Sequence, residues 1–159
     1  MLIGIFSDTH DNLDKIREAI KLFREKRVGA VIHCGDIVAP FSAKLIDAEL
    51  DVPLYVVYGN NDGEKEGLKK VFPQITEPPL LLDIEHKIII VSHDFSQVPS
   101  EMIEQADVLV AGHTHVSEIT EKDGKLWINP GDCSGWLKGR ASVAILDTES
   151  LKSEIMELK

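Results

Sequence analysis

The residues best suited to metal chemistry lie directly after short apolar segments of the chain. They are two aspartates, one asparagine and four histidines: Asp8, His10, Asp36, Asn60, His93, His113 and His115. Nitrogen and oxygen ligands without a thiolate suit Mn²⁺, Fe, Zn²⁺, Ni²⁺ or Co²⁺. Two pairs, Asp8 with His10 and His113 with His115, are spaced two residues apart, so both members of a pair point the same way from an extended segment. The pattern predicts a transition-metal site.

The number of these side chains indicates two ions rather than one. Seven ligands are too many for a single ion and suit two ions, if one carboxylate bridges them. Two ions roughly 3.5–4 Å apart act as a clamp for in-line displacement at phosphorus. With two carboxylates and a bridging hydroxide they leave a net charge of about +1, which attracts a phosphate ester and stabilises its transition state. The alternative interpretation is that these are scattered turn residues and hydrogen-bonded histidines. It is reasonable for any one of the residues, but it does not explain why all of them follow a predicted strand.

The elements that must position these side chains begin as an alternation of strands and helices. Apolar residues 2–6, 28–32 and 52–58 predict three strands buried on both faces. Amphipathic helices lie between them, one from Asn12 to about residue 27 and one at 40–50. This order implies parallel strands with right-handed crossovers. Ligands of such sheets bind in the crevice at the carboxyl ends of the strands, where the candidate residues lie.

The second half of the sequence predicts shorter elements joined by turns. A short helix near 64–71 precedes a proline-rich loop and a hairpin at 80–84 and 87–92. A helical stretch at 99–105, a strand at 107–111, a hairpin at 117–121 and 125–128, and final strands at 142–146 and 151–158 follow. This half has a mostly antiparallel pattern. Because there is no repeat or linker, we expect residues 1–159 to form a single domain.

Composition and charge exclude several classes of protein. The formal net charge is −10, which opposes binding to DNA or RNA. No apolar run reaches the roughly 18 residues of a transmembrane helix, and Met1 leads directly into the first strand, so we expect no signal peptide. Cys34 and Cys133 do not make a disulfide framework and are interpreted as small buried hydrophobes. These features predict a cytoplasmic protein that binds neither nucleic acid nor membranes.

The ordered motifs of the chain resemble those of the calcineurin-like metallophosphoesterases, in particular their small, capless archaeal and bacterial phosphodiesterase branch. The motifs are Asp8-x-His10, Gly35-Asp36, Gly59-Asn60, His93 and Gly112-His113-x-His115. The resemblance spans nearly the whole chain and implies an α/β fold, a two-sheet β-sandwich flanked by helices in four αββα layers. It also implies two metal subsites that share one bridging aspartate. One would use Asp8, His10, Asp36 and His115, and the other Asp36, Asn60, His93 and His113.

The resemblance also implies an activity, the hydrolysis of a phosphoester by in-line attack of a metal-bridging hydroxide. We expect a phosphodiesterase that acts on a small phosphoester and uses two divalent transition-metal ions, manganese first, with nickel, zinc, iron or cobalt as alternatives. A phosphomonoesterase, a DNA nuclease and a non-catalytic scaffold, which the retromer sorting subunit forms on this fold, are the competing interpretations. The complete ligand set argues against a scaffold, and the acidic charge argues against a nuclease. The sequence leaves open whether the protein forms a homodimer.

The chain departs from the family's pattern at two positions. Many relatives follow the asparagine with a histidine that protonates the leaving group or binds phosphate, and this chain has Asn61 there. Many small relatives follow the position of His93 with Gly-His, and this chain has Asp94-Phe95. Asn61 can donate a hydrogen bond but cannot give up a proton, so it is a candidate catalytic residue without the role of an acid.

The remaining polar and aromatic residues of interest divide into one catalytic candidate and four with other interpretations. Arg140 follows a late loop at 129–131 that also resembles the family, so it could bind a phosphate oxygen or form a surface ion pair. His33 is interpreted as a hydrogen-bonded core histidine and His86 as a solvated turn residue. The two tryptophans are interpreted as core or interface residues rather than a base-stacking platform: Trp127 and Trp136.

Overall fold

The computed structural model describes all 159 residues and contains two five-stranded β-sheets. The strands are β1 (Leu2–Phe6), β2 (Ala30–His33), β3 (Leu54–Val56), β4 (Leu80–Ile84), β5 (Lys87–Val91), β6 (Val108–Val110), β7 (Glu118–Lys122), β8 (Lys125–Asn129), β9 (Ser142–Asp147) and β10 (Lys152–Glu157). The helices are α1 (Leu13–Lys26), α2 (Pro40–Glu49), α3 (Lys65–Val71) and α4 (Ser100–Gln105), with one 3₁₀ turn at Phe95–Gln97.

The first sheet has the strand order β10-β9-β1-β2-β3. Its β1, β2 and β3 strands are parallel, as the alternation of strands and helices predicts. The antiparallel strands β9 and β10 extend the sheet beyond β1. The third strand is shorter than the predicted 52–58, because Pro53 has no N–H for the ladder and Val57 pairs with Thr76 in an isolated bridge.

The second sheet has the strand order β4-β5-β6-β8-β7. Both of its edges are predicted antiparallel hairpins, β4–β5 and β7–β8. Its three central strands are parallel, which the hairpin pattern of the second half did not predict. Parallel neighbours need a crossover of a dozen or more residues, and the connection from β5 to β6 supplies one through the 3₁₀ turn and α4.

Three apolar cores separate four layers. Between the sheets lies the sandwich core, which includes Ile5, Val110 and Ala144. Helices α1, α2 and α3 cover the outer face of the first sheet, where Phe23 packs edge-to-face on Phe6. Helix α4 covers part of the outer face of the second sheet. This is the predicted αββα arrangement, and none of its helices is long and apolar enough to span a membrane.

The two sheets bring the carboxyl ends of their parallel strands to one edge of the sandwich. Backbone hydrogen bonds tie the loops there across the molecule. The amide of Asp8 donates to the carbonyl of Gly35 at 3.0 Å, and the amide of Ser134 donates to the carbonyl of Asp8 at 3.1 Å. The loop after β1 is therefore fixed between the loop after β2 and the loop before β9.

Candidate metal centre

The candidate ligands lie in loops with an unusual backbone conformation. Five of them have positive φ angles: Asp8 (54°), His10 (39°), Asp36 (61°), His113 (69°) and His115 (58°). Non-glycine residues rarely adopt this conformation, and each instance costs about 1–3 kcal/mol. The surrounding backbone holds it in place, since the amide of His10 donates to the carbonyl of Asp36 at 3.1 Å. Strain of this kind concentrates at functional sites.

Two glycines allow these loops to approach one another. A Cβ atom on Gly59 would overlap the Oδ1 atom of Asp36, and a Cβ atom on Gly112 would overlap the Oγ atom of Ser7 and the Oδ2 atom of Asp8. The backbone beside Asn60 and His113 therefore lies against the two carboxylates. Gly59 and Gly112 serve this close packing rather than a turn, because neither has a positive φ.

The first group of candidate ligands consists of Asp8, His10 and His115. The Oδ1 atom of Asp8 lies 3.7 Å from Nε2 of His10 and 3.5 Å from Nε2 of His115. The two imidazole rings stack with their centroids 5.3 Å apart. Asp8 is fully buried, and its Oδ1 atom and the Nε2 atom of His10 are both buried without a hydrogen-bond partner. Such atoms need a partner that the protein does not supply.

Asp36 lies between this group and the next. Its Oδ2 atom is 3.6 Å from Nε2 of His10 and 3.5 Å from Nε2 of His93. Asn61 orients the carboxylate from the other side, because its backbone amide donates to Oδ1 at 2.8 Å and its side-chain amide donates to Oδ2 at 2.7 Å. The Asn61 side chain therefore contacts the centre through Asp36.

The second group consists of Asn60, His93 and His113. The Oδ1 atom of Asn60 lies 2.8 Å from Nε2 of His93 and 3.0 Å from Nδ1 of His113. The Nδ1 atom of His93 donates to the carbonyl of Cys34 at 2.8 Å, and a carbonyl only accepts, so neutral His93 presents an unprotonated Nε2. Its lone pair then faces the oxygen of Asn60, an arrangement that a cation between them relieves.

These observations show that the residues fit divalent transition-metal ions. Two sets of nitrogen and oxygen atoms each lie within 4.8 Å of one another, one from Asp8, His10 and His115 and one from Asp8, Asp36 and His93. The donor set contains imidazoles, carboxylates and an amide without a thiolate, which suits manganese, iron, cobalt, nickel or zinc. A bound cation would give the unpartnered atoms of Asp8 and His10 a partner and would relieve the facing lone pairs of Asn60 and His93.

The electrostatics of the centre also favour cations. Burial alone would raise the pKa of Asp8, but the nearby imidazole of His10, the hydroxyl of Ser7 and the charges of His93 and His115 outweigh burial and lower it. The same carboxylate raises the pKa of His10, to which Asp36 and Asp132 also contribute. The Asp8 carboxylate therefore stays ionised and favours positive charge beside it.

Two buried aspartates support the centre, and the sequence reasoning missed both. Asp62 accepts hydrogen bonds from the amides of Asp36 (2.9 Å), Val38 (2.8 Å) and Gly59 (2.7 Å), which joins the loops after β2 and β3. Burial raises its pKa. Its position within the glycine-bounded turn Gly59-Asn60-Asn61-Asp62-Gly63 is the sequence signal that could have identified it.

The second of these aspartates is Asp132. Its Oδ2 atom lies 3.3 Å from Nδ1 of His115, and its Oδ1 atom accepts from the amides of Ser134 (2.9 Å) and Gly135 (3.1 Å). Nδ1 of His115 forms no hydrogen bond in this geometry, so Asp132 acts on the ring through its charge, on the side where ligating histidines usually have a carboxylate or carbonyl partner. The only sequence signal that could have identified Asp132 is its position directly after the Asn-Pro-Gly loop at 129–131.

Asp94 stands in a similar relation to His113. Its Oδ2 atom lies 3.9 Å from Nε2 of His113, and its Oδ1 atom accepts from the amide of Ser96 at 2.8 Å, which caps the 3₁₀ turn. The side chain is 29% exposed, whereas that of Asp132 is fully buried. The departure at Asp94 therefore places a carboxylate beside the centre.

The other residues singled out from the sequence lie in different environments. Arg140 is exposed, forms no ion pair and lines a cavity of about 260 Å³ together with His115 and Lys138. His33 is fully buried and His86 is exposed in the β4–β5 turn. Trp136 is not a core residue, because it is 65% exposed and its indole N–H donates to the carbonyl of His10 at 3.2 Å.

Comparisons with known proteins agree in family and fold. The family model described as the calcineurin-like phosphoesterase superfamily domain matches residues 1–151. Phosphodiesterase MJ0936 of Methanocaldococcus jannaschii is 40% identical, over 99% of this chain and 98% of that protein. The solved structure of a novel archaeal phosphodiesterase has a TM-score of 0.86 at 37% identity and covers 99% of this chain and 100% of its own.

A more distant structure shares the fold alone. Vacuolar protein sorting 29 of Cryptosporidium parvum has a TM-score of 0.69 at 19% identity and covers 98% of this chain and 95% of its own. The family model, in contrast, spans most of the chain, from β1 to the turn before β10. With its two-sheet sandwich and metal-binding residue types at one edge, the chain belongs to the calcineurin-like phosphoesterase superfamily.

Proposed function

We propose that this member of a metal-dependent phosphoesterase family is a dinuclear phosphodiesterase. The relative MJ0936 is named a phosphodiesterase. The observation that carries the dinuclear proposal is the position of Asp36, whose Oδ2 atom lies 3.6 Å from His10 and 3.5 Å from His93. A carboxylate between two groups of ligands can serve two ions at once.

The ligands divide between the two ions as follows. Asp8, His10 and His115 hold one ion, Asn60, His93 and His113 hold the other, and Asp36 belongs to both. Manganese is the ion we propose, because a set of oxygen and imidazole ligands without sulfur accommodates it. When bound, the two ions supply the hydroxide for in-line attack at phosphorus and the positive charge that stabilises the phosphoryl oxygens.

The protein's own side chains orient the reactants. Asn61 holds Asp36 through two donors, so it keeps the shared ligand in place. Arg140 has no carboxylate partner and lines a cavity with His115, so its guanidinium can bind a phosphoryl oxygen at the edge of the centre. Both are proposed as the residues next to the reacting phosphate.

The domain organisation and the cellular compartment of this activity are also proposed. We propose that residues 1–159 act as one domain on a small phosphoester in the cytoplasm. Both cysteines are buried and unpaired, and burial raises the pKa of the Cys34 and Cys133 thiols. Unreactive thiols of this kind suit a reducing compartment.

The test is an activity screen of metal-stripped protein restored with Mn²⁺, Ni²⁺, Zn²⁺, Fe²⁺ or Co²⁺. Each form is assayed with bis(p-nitrophenyl) phosphate as the diester and p-nitrophenyl phosphate as the monoester. We expect no activity without metal, and restored activity with a higher kcat/KM for the diester. Arg140→Lys keeps the charge but loses the fork of donors, so it should raise KM for the diester.

Two results would contradict the proposal. A higher kcat/KM for the monoester would make the protein a phosphomonoesterase. Full metal loading, measured by elemental analysis at two equivalents, without hydrolysis of either ester would favour a non-catalytic scaffold.

A further inference from the structure

A cavity of about 230 Å³ lies on the outer face of the second sheet. One wall consists of alternate residues of β7, namely Glu118, Thr120 and Lys122, which share a face of the strand. Thr120 lies directly opposite Trp127 of β8, and Trp127 also lines the cavity. The cavity therefore follows the groove between the last two strands of the sheet.

The floor of this cavity is aromatic. Phe95 and Trp127 line it, and their rings pack edge-to-face with centroids 5.1 Å apart. The indole N–H of Trp127 is buried without a hydrogen-bond partner, so packing alone holds the ring. Paired aromatic rings that line an open cavity present an apolar surface on which another planar ring can pack.

The polar rim of the cavity carries no net charge. Glu118 contributes one carboxylate and Lys122 one ammonium group, and Thr120 donates to the Glu118 carboxylate at 3.0 Å. An uncharged occupant is favoured, because a rim without net charge does not offset the loss of hydration of a charged group. Pockets for drug-sized ligands measure roughly 300–1,000 Å³, so a space of about 230 Å³ suits a single ring system.

The cavity adjoins the candidate metal centre. Its near end is formed by Thr114 and Asn129, and Thr114 lies between the ligands His113 and His115 in the sequence. Asn129 fixes this end, because its side-chain amide donates to the carbonyl of Gly112 at 2.8 Å and to the hydroxyl of Thr114 at 3.0 Å. Thr114 therefore places this end of the cavity on the loop that carries two of the candidate ligands.

We propose that this cavity binds an uncharged aromatic group of the phosphodiester, the one that stays on phosphorus when the ester is cleaved. The inference rests on the proposed function, since it names the substrate class of the same centre. It makes Phe95 and Trp127 residues that determine specificity. A diester with an aromatic second group fills the cavity, whereas one with a small alkyl group leaves it empty.

The test compares two diesters that share a leaving group. Phenyl p-nitrophenyl phosphate and methyl p-nitrophenyl phosphate release the same p-nitrophenolate, so the ratio of their kcat/KM values reports the second group. We expect the metal-loaded protein to favour the phenyl ester by roughly tenfold or more, the scale of apolar discrimination in a pocket. Thr120→Phe fills the cavity and should bring the ratio of the two kcat/KM values close to one.

Glu121→Phe is the matched control, because it places the same ring on the opposite face of the same exposed strand. Both variants put an aromatic residue where strands favour one, so both should fold. A phenyl preference that survives Thr120→Phe, or one that Glu121→Phe also removes, overturns the assignment of the cavity.

A binding measurement separates this inference from the proposed function. Calorimetric titration of the metal-loaded protein with diphenylphosphinate and with dimethylphosphinate reports binding alone, because their P–C bonds are not hydrolysed. We expect tighter binding of diphenylphosphinate, and loss of the difference in Thr120→Phe alone. Hydrolysis of both p-nitrophenyl diesters without a phenyl preference would refute the assignment of the cavity and leave the phosphodiesterase proposal standing. A binding preference without any hydrolysis would support the cavity and refute the phosphodiesterase proposal.

Discussion

The two halves of the metal centre differ in how their ligand atoms are spaced. In the first group, Asp8 lies 3.7 Å from His10 and 3.5 Å from His115 without hydrogen bonds. In the second group, Asn60 lies 2.8 Å from His93 and 3.0 Å from His113, within hydrogen-bond distance. Ligands about 2.1 Å from an ion stand about 3.4 Å apart in a tetrahedral site and about 3.0 Å apart at neighbouring positions of an octahedral one, so both spacings fit an ion. The first group has no internal hydrogen bond to exchange for the ion, whereas the second can hold one between His113 and Asn60.

The two groups also differ in the carboxylates that contact their histidines, and the first group is again the better prepared for an ion. His115 is 13% exposed and is backed by the fully buried Asp132 at 3.3 Å. His113 is 44% exposed and is backed by the partly exposed Asp94 at 3.9 Å. A buried carboxylate orients an imidazole more firmly than an exposed one, because it is shielded from solvent. The first group is therefore the organised half of the candidate centre, and the second group is the adaptable half.

The largest expected effect comes from the residue that joins the halves. Asp36→Ala removes the ligand that we propose both groups share, so both ions and their stabilisation of the transition state should be lost. We expect kcat/KM for bis(p-nitrophenyl) phosphate to fall by at least ~10³-fold and elemental analysis to find under one equivalent of metal. Asp14→Ala, at an exposed position of α1, is the control. Two retained ions in Asp36→Ala would show that the halves are independent.

A smaller effect is expected at Asn61, which contacts Asp36 and occupies the position where the resemblance to the family predicts a histidine in many relatives. Without a proton donor, the wild type should hydrolyse aryl diesters well and alkyl diesters poorly. Asn61→His restores a general acid, which typically contributes 10²–10⁴-fold. Alkyl diesters should gain most, although the variant loses the side-chain donor to Asp36 and keeps the backbone one.

The measurement is the dependence of the rate on leaving-group pKa for both proteins, under conditions where chemistry limits the rate. We expect a steep slope for the wild type and a shallower one for Asn61→His. Asn61→Gln keeps an amide and serves as the control. A shallow slope in the wild type with no gain in the variant would assign proton donation to another group.

The sequence predicted most of the fold, because the parts it predicted depend on local patterns. Buried strands and amphipathic helices are visible as apolar runs and periods, and the seven candidate ligands follow those runs directly. The contact of Asp132 with His115 joins segments that no local pattern connects, as does the parallel pairing of β6 with β8. Cavities also escape prediction, since Phe95 and Trp127 are distant in sequence and meet only in the folded chain.

The comparison of the halves also predicts two binding steps for metal. Titration of metal-free protein with Mn²⁺ should show one tight step and one weaker by roughly tenfold or more, the scale of losing outer support for a ligand. His115→Ala should remove the tight step, and His113→Ala should remove the weak one. Calorimetry measures both steps directly. Loss of the tight step in His113→Ala would reverse the assignment of the organised half.

A histidine that belongs to neither half gives the last comparison. The Nδ1 atom of His33 accepts from the amide of Gly35 at 3.0 Å, so its proton is on Nε2, which faces the hydroxyl of Thr9 at 3.1 Å. Both nitrogens are satisfied in the neutral ring, unlike the unpartnered Nε2 atom of His10. Full burial lowers the pKa of His33 to about 3.

Below the unfolded histidine pKa of roughly 6.5, the unfolded chain binds a proton at His33 that the folded chain does not. Stability should therefore fall as the pH drops from about 6.5 toward about 3, by up to about 1.4 kcal/mol per pH unit. Urea unfolding of metal-free protein at pH 7 and pH 5 measures this loss. His33→Gln should lose about 2 kcal/mol less than the wild type over that interval, while His86→Gln, at an exposed position, should match the wild type. Equal losses in all three proteins would mean that folded His33 accepts the proton and that its hydrogen bonds rearrange.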